Sequence, residues 1–350
     1  MSAPASIAVD KGGRRYDGEL LWLVVFAVLL GAAMLGGICL GRLSIAPSQV
    51  FDSITRWAGG ASAETLEERI VLLVRAPRVL MGALAGMGLA MAGAALQGLF
   101  RNPLVSPDIL GITAGAAFGG ALAILLGESS MVLIGSAFAF GVLALLLVGF
   151  ISRVDGRSDT MTVVLAGVVV AAMFTALVSF VQFVADPDST LPAIVAWLMG
   201  SFASITWFRV GIATLPIVIG ALGLMLLRFR INLLSLGEDE ARSFGIRVER
   251  ERWILFLLVA LISGGVVSVS GIVGWVGLVI PHAARLLVGP DHRILVPASG
   301  LLGGAYMVAI DTVARNATAA EIPLGVLTAA IGAPIFAILL RRMYYTESRR

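Results

Sequence analysis

Residues 263–293 read SGGVVSVSGIVGWVGLVIPHAARLLVGPDHR. A small-residue run without charge leads to Pro281-His282. Arg285 follows, and then the turn Gly289-Pro290-Asp291-His292-Arg293. An apolar run of this kind is a candidate membrane-crossing segment. Gly271 and Gly274 divide it into the end of one span and the start of the next.

Outward from this stretch the rest of the chain has the same character. Of 350 residues, 59% are hydrophobic and 13% charged, with a mean hydropathy of +0.98. A soluble domain carries about 25% charged residues. The apolar runs are continuous and lack the period-2 alternation of barrel strands, which favours helices. Candidate spans are 20–40, 80–99, 109–126, 131–151, 161–185, 207–228, 253–271, 273–288, 294–314 and 322–341. The expectation is therefore an all-α polytopic membrane protein of about ten helices, with a single transmembrane domain over 20–345. Residues 1–19, with Lys11, Arg14 and Arg15, form a polar tail expected to be disordered and cytoplasmic. No small-x-small cleavage site follows 20–40, and Ile38 before Cys39 argues against lipoprotein processing, so this run reads as a retained first span. The single cysteine, Cys39, excludes an internal disulfide and a cysteine-built metal site.

Of the 25 Lys and Arg residues, 18 fall on one side and 7 on the other when the N-terminus is inside. That sets N-in and C-in. Five of the outer seven lie in 41–79, beside Glu64, Glu67 and Glu68. This segment reads either as a solvated amphipathic approach to the second span or as a docking surface for an acidic partner. Small-xxx-small pairs at Gly82/Gly86, Gly111/Gly115 and Gly115/Gly119 predict close helix packing in lipid.

Between the second and third spans, Pro103 forbids a continuous helix, while Ser106, Pro107 and Asp108 are suited to start the next one. Another polar patch, Arg153–Thr160, precedes the fifth span. Asp186-Pro187-Asp188-Ser189-Thr190 opens a piece over 191–200 that is too short to span, an outer half-helix of the sort that lines a cavity. The longest inner loop, 229–252, holds Ser235 and Glu238 at capping-box spacing, three acids in the first turn, a Glu238/Arg242 pair at i,i+4 and Gly245 as a C-cap. These predict a short self-capped surface helix. Asp311 and Arg315 lie one turn apart at the outer end of the ninth span. Gly332-Ala333-Pro334 is expected to interrupt the last.

No GxxxxGK[ST], GxSxG or HExxH motif occurs. His282 and His292 flank a turn and are poor candidates for catalysis or a metal. Acids deep inside spans are almost lacking, which weighs against an ion-coupled stand-alone carrier and calls for an external motor.

An ordered set of motifs now resembles one family over about 20–345: the FecCD/BtuC-type permease subunits of bacterial ABC importers for iron-siderophores, haem and vitamin B12. The set comprises Arg75-Ala76-Pro77-Arg78, Gln97-Gly98-Leu99-Phe100-Arg101-Asn102-Pro103-Leu104, Pro107-Asp108-Ile109-Leu110-Gly111, Leu165-Ala166-Gly167 and Leu236-Gly237-Glu238…Ala241-Arg242…Gly245. It continues with Gly277-Leu278-Val279-Ile280-Pro281-His282…Arg285, Asp291-His292-Arg293, Asp311…Arg315, Glu321-Ile322-Pro323-Leu324-Gly325 and Gly332-Ala333-Pro334-Ile335-Phe336. The resemblance implies a type II importer fold in the bacterial inner membrane and a pair of permeases, two copies of this chain or this chain with a paralogue. It also implies two cytoplasmic ATPase subunits, a periplasmic binding protein, and no resident cofactor or metal. The chain would be a transport subunit rather than an enzyme, moving a ferric siderophore, with haem or cobalamin as alternatives. Glu238, Ala241, Arg242 and Gly245 would then couple to the ATPase. Arg75, Arg78 and Arg315 would dock the binding protein, and the inner gate would lie near Leu104 and Thr160.

Overall fold

The computed structural model describes residues 12–153 and 160–347. Most of the polar tail (1–11), the centre of the 153–160 patch, and Arg349 and Arg350 lie outside the described residues. In chain order the helices are α1 (Gly12–Cys39), α2 (Pro47–Ala58) and α3 (Leu66–Arg69), then a π turn (Ile70–Arg75) running into α4 (Ala76–Leu99). A 3-10 turn (Pro107–Leu110) precedes α5 (Ile112–Leu125), α6 (Ser130–Ser152), α7 (Thr160–Val184) and α8 (Thr190–Leu198). The remainder is α9 (Trp207–Leu234), α10 (Glu238–Ser243), α11 (Val248–Ser270), α12 (Val276–Val288), α13 (His292–Asn316) and α14 (Leu324–Glu347). The described residues contain no strand.

The ten expected spans correspond to α1, α4, α5, α6, α7, α9, α11, α12, α13 and α14. Among the described residues seven rods are long and apolar enough to cross a bilayer, α3 to α4 counting as one rod of 34 residues. The apolar stretches of α5, α12 and α14 are shorter. Several boundaries differ from expectation, two of them for local reasons that can be named. α1 starts at Gly12 rather than Leu20, since no proline breaks the helix before the apolar run. α5 starts at Ile112, because the chain after Pro107 first makes a 3-10 turn ending at Gly111 in the left-handed region (φ 70°). The last span is not interrupted: α14 runs through Pro334.

The core sits on α4, where 83% of the apolar window is buried, against 11% in α1. Glycines make this possible. A methyl group at Gly86 would lie 2.1 Å from the Gly303 carbonyl of α13, and one at Gly93 would lie 1.8 Å from the Gly277 carbonyl of α12. On α5, Gly115 and Gly119 meet the Phe140 and Ser136 carbonyls of α6, each 2.4 Å from a would-be methyl. Ser136 Oγ also donates to the Gly119 carbonyl (2.8 Å). Gly86, Gly115 and Gly119 thus sit at close packing, a methyl at Gly82 would make only ordinary contact with the Phe202 ring (3.5 Å), and Gly111 acts at a turn instead.

α8 and α12 are among the helices too short to cross. Rise per residue gives α12 (13 residues) a length of about 20 Å and α8 (9 residues) about 13 Å, short of the roughly 30 Å hydrocarbon core. The loose ends beside them are stitched together. Ser201 N–H donates to the Ser270 carbonyl (2.8 Å), Leu324 N–H to Gly200 (2.9 Å) and Gly325 N–H to Met199 (3.0 Å). Backbone polar groups at membrane depth need protein partners, and these bonds supply them. Gly200 (φ 75°) and Gly271 (φ 70°) turn in the left-handed region, and so does Trp275 (φ 69°), a conformation uncommon for a bulky side chain.

Candidate functional site

The inner surface carries α10. Its N-cap is Gly237, with φ 142° and ψ 161°, a conformation open essentially to glycine alone. The expected Ser235 capping box does not form: Ser235 Oγ donates to the Asn232 carbonyl at the end of α9 (2.7 Å), and Glu238 faces elsewhere. The C-terminus follows expectation. Gly245 (φ 79°) donates to the Arg242 carbonyl (2.9 Å) and Ile246 to Ala241 (3.0 Å), a Schellman closure. Ala241 is buried against the bundle, so one face of α10 is fixed.

Glu238 joins this helix to two spans. One carboxylate oxygen accepts from Arg242 at i,i+4 (3.2 Å). The other accepts from Thr160 at the first turn of α7 (3.1 Å) and from the buried Arg252 on α11. One carboxylate thus ties α10 to the inner ends of α7 and α11. Outward from this anchor, Arg242 and Gly245 are exposed, as are the apolar side chains Leu236 and Phe244. Large apolar side chains exposed beside charges suit a protein partner.

Thr160 is thus bonded to α10 through Glu238, whereas Leu104 is exposed in the loop between α4 and α5. Gln97 organises that loop, donating to the carbonyls of Val105 (3.4 Å) and Leu278 (3.2 Å) and accepting from Arg285 (3.1 Å). The motif at 97–104 contains Gln97 but assigns it no role. Its signal is chemical: an amide within a Gly/Ala-rich helix is a visible sign of interhelical bonding. Nearby, Asn232 receives His292 N–H (2.7 Å) and donates to Asp291 (2.6 Å). Burial would raise the Asp291 carboxyl, but bonds from the Arg293 guanidinium, the Asn232 amide and the Arg293 backbone outweigh it and hold it at about 2.

At the outer end, Arg75, Arg78 and Arg315 are all buried. Their guanidiniums are turned inward, onto backbone carbonyls and carboxylates of the bundle. Arg75 sits in the π turn ahead of Pro77, whose ring excludes the normal i−4 carbonyl, and the wider register accommodates it. It donates to the carbonyls of Ile38 (2.7 Å) and Cys39 (3.0 Å), closing the end of α1. Arg315 donates to the Gly37 carbonyl. Asp311, one turn from Arg315, is held by Arg78, which binds both Asp311 oxygens through Nε (3.0 and 2.9 Å) and both Glu321 oxygens (2.9 Å each). In the same region, α2 is held by stacking of Trp57 on Trp207 (5.7 Å) and by an Arg56–Glu68 ion pair (2.7 Å).

The fold defines a class, a polytopic helical membrane protein with a short surface helix tied to two of its long helices. Comparison narrows the class. The FecCD transport family matches residues 24–342, and the chain belongs to that family, the permease subunits of ABC importers. It is similar to the molybdate import permease MolB of Haemophilus influenzae, 39% identical over 94% of this chain and 96% of that protein. The cobalamin import permease BtuC of Halobacterium salinarum is 42% identical over 78% and 73%. A permease of an iron chelatin transport system of Helicobacter pylori is 41% identical over 78% and 82%. Among solved structures, an inward-facing ABC transporter described as of metal-chelate type superposes with a TM-score of 0.83 at 38% identity, covering 91% of this chain and 98% of that one. As an ABC importer permease, a multi-pass transport component rather than an enzyme, the chain is expected to work with ATPase and permease partners.

Proposed function

We propose that this permease carries a ferric siderophore from periplasm to cytoplasm across a bacterial inner membrane, by alternating access driven by ATP hydrolysis in two cytoplasmic subunits. A second permease subunit and a periplasmic binding protein complete the assembly. The observation that carries the mechanism is the Glu238 bridge, a single carboxylate shared by the surface helix and the first turn of α7. In this reading Glu238, Ala241, Arg242 and Gly245 form the coupling element, with Leu236 and Phe244 as its apolar contacts. Thr160 and Leu104 mark the inner gate, Thr160 moving with α10. Arg75, Arg78 and Arg315 serve docking from beneath, fixing the outer ends of α1, α4 and α13 on which the binding protein rests. The chelate class is supported by the relatives named for cobalamin and iron chelatin and by the likeness to a metal-chelate transporter.

A second reading, an oxyanion such as molybdate, is favoured by the near full-length match to MolB. Proteoliposomes holding this chain, its ATPase and its binding protein would be offered labelled ferric siderophore, haem, cobalamin or molybdate, with and without internal ATP. ATP-dependent accumulation of the siderophore alone supports the proposal. Accumulation of molybdate alone replaces the cargo and leaves the mechanism.

A further inference from the structure

A groove of about 580 Å³ opens where the inner ends of α6 and α11 meet. Arg153, at the end of α6, stands over the Trp253 indole, 6.0 Å from the ring centre. Arg247 and Arg250 enter from the start of α11. Both are exposed, and among the described residues no carboxylate pairs with either. Glu249 also lines the groove, but its carboxylate is taken by Trp253 Nε1 (3.0 Å) and Arg252 (3.6 Å). The groove therefore holds three cations against one partnered acid.

Further up α11 the lining changes. Positions 247, 250, 254 and 257 share one helical stripe. The first two are arginines at the inner end. Ile254 and the 50% exposed Leu257 continue the stripe towards the bilayer centre. Tryptophan between the two is the side chain expected at a membrane interface. A soluble acidic segment would meet the cations and leave the apolar half bare. A ligand anionic at one end and apolar at the other satisfies both.

We propose that this groove is a binding site for an anionic phospholipid of the inner leaflet. Its phosphates are held by Arg153, Arg247 and Arg250, and an acyl chain lies along Ile254 and Leu257. The site belongs to the membrane-facing side of α11 and is independent of the cargo.

Native mass spectrometry of the purified full chain, titrated with cardiolipin, tests it. The Arg247→Gln/Arg250→Gln variant is expected to bind cardiolipin about thirtyfold more weakly, the loss that two basic side chains near a lipid headgroup account for. Phosphatidylcholine binding should not change. Among the described residues neither guanidinium is held by a carboxylate, so the variant should retain its structure. Arg247→Lys/Arg250→Lys, which keeps the charge, should retain most of the cardiolipin affinity. Equal cardiolipin affinity in the glutamine variant would overturn the proposal. So would displacement of cardiolipin by inorganic phosphate at matching concentration, which would make this a free-anion site. Loss of the lipid from the wild type when the ATPase subunits bind would overturn it too, identifying the groove as a protein contact.

Discussion

Arg78→Met isolates what the outer charge cluster contributes. The side chain makes five hydrogen bonds, three to Asp311 and two to Glu321. Asp311 is only 1% exposed, so its carboxylate would be left in the bundle without its principal counter-ion. Breaking a buried pair from one side costs about 3–5 kcal/mol. Glu321 is 36% exposed at its side chain and re-solvates, so its share is small. Arg78→Lys keeps the charge but cannot serve two carboxylates in fork geometry, and should recover part of the loss. Arg78→Met with Asp311→Leu removes both buried charges and should return to within about 1 kcal/mol of the wild type, because apolar replacement of a buried pair is often near neutral. The assay is equilibrium unfolding of the purified chain in mixed micelles by titrated detergent, followed by the fluorescence of its 6 tryptophans. A loss below about 1 kcal/mol in Arg78→Met, or a double variant no more stable than the single, would refute the assignment of Asp311 as a charge that depends on Arg78.

Gly93→Leu should separate α4 from α12, since even a methyl would lie 1.8 Å from the Gly277 carbonyl; a cost of at least about 3 kcal/mol is expected in the same unfolding assay. Thr160→Val removes the α7 end of the Glu238 bridge, and the assembled transporter should then hydrolyse ATP while uptake falls severalfold; proteoliposome uptake per ATP is the measurement, and unchanged coupling would count against the bridge. Asp291 has a folded value of about 2, below the roughly 3.9 of an unfolded chain, so its contribution to stability is present above about pH 4 and is lost as pH falls towards 2. Wild type and Asp291→Asn should therefore differ in thermal midpoint at neutral pH and converge towards pH 2.

The bundle was legible because lipid imposes length and apolarity on each span, so each of the ten apolar runs coincides with a helix, seven of them among the described residues long enough to cross. Helix ends were harder. The α10 cap depends on a glycine at φ 142°, and a Ser-x-x-Glu spacing drew attention to Ser235 instead, since cap chemistry can be read locally but the competing demand on Glu238 cannot. Arg78 shows the same limit more sharply. Its partners lie 233 and 243 residues away, and a count of positive charges carries no sign of whether a guanidinium points outward or is consumed inside. Gln97 is the converse case, where an amide among glycines and alanines advertises an interhelical role through its neighbours in the chain alone.

The stitched junction of Gly200, Ser270 and Leu324 bears on how the chain is made. α8 and the end of α11 are synthesised well before α14, and the Met199 and Gly200 carbonyls wait for the Leu324 and Gly325 amides. Until the ribosome has delivered the last helix, the nascent permease therefore holds unpaired peptide groups within the bilayer. Completion of the polypeptide and closure of its translocation unit become one event, and a chain truncated before Leu324 would remain an open substrate for membrane quality control.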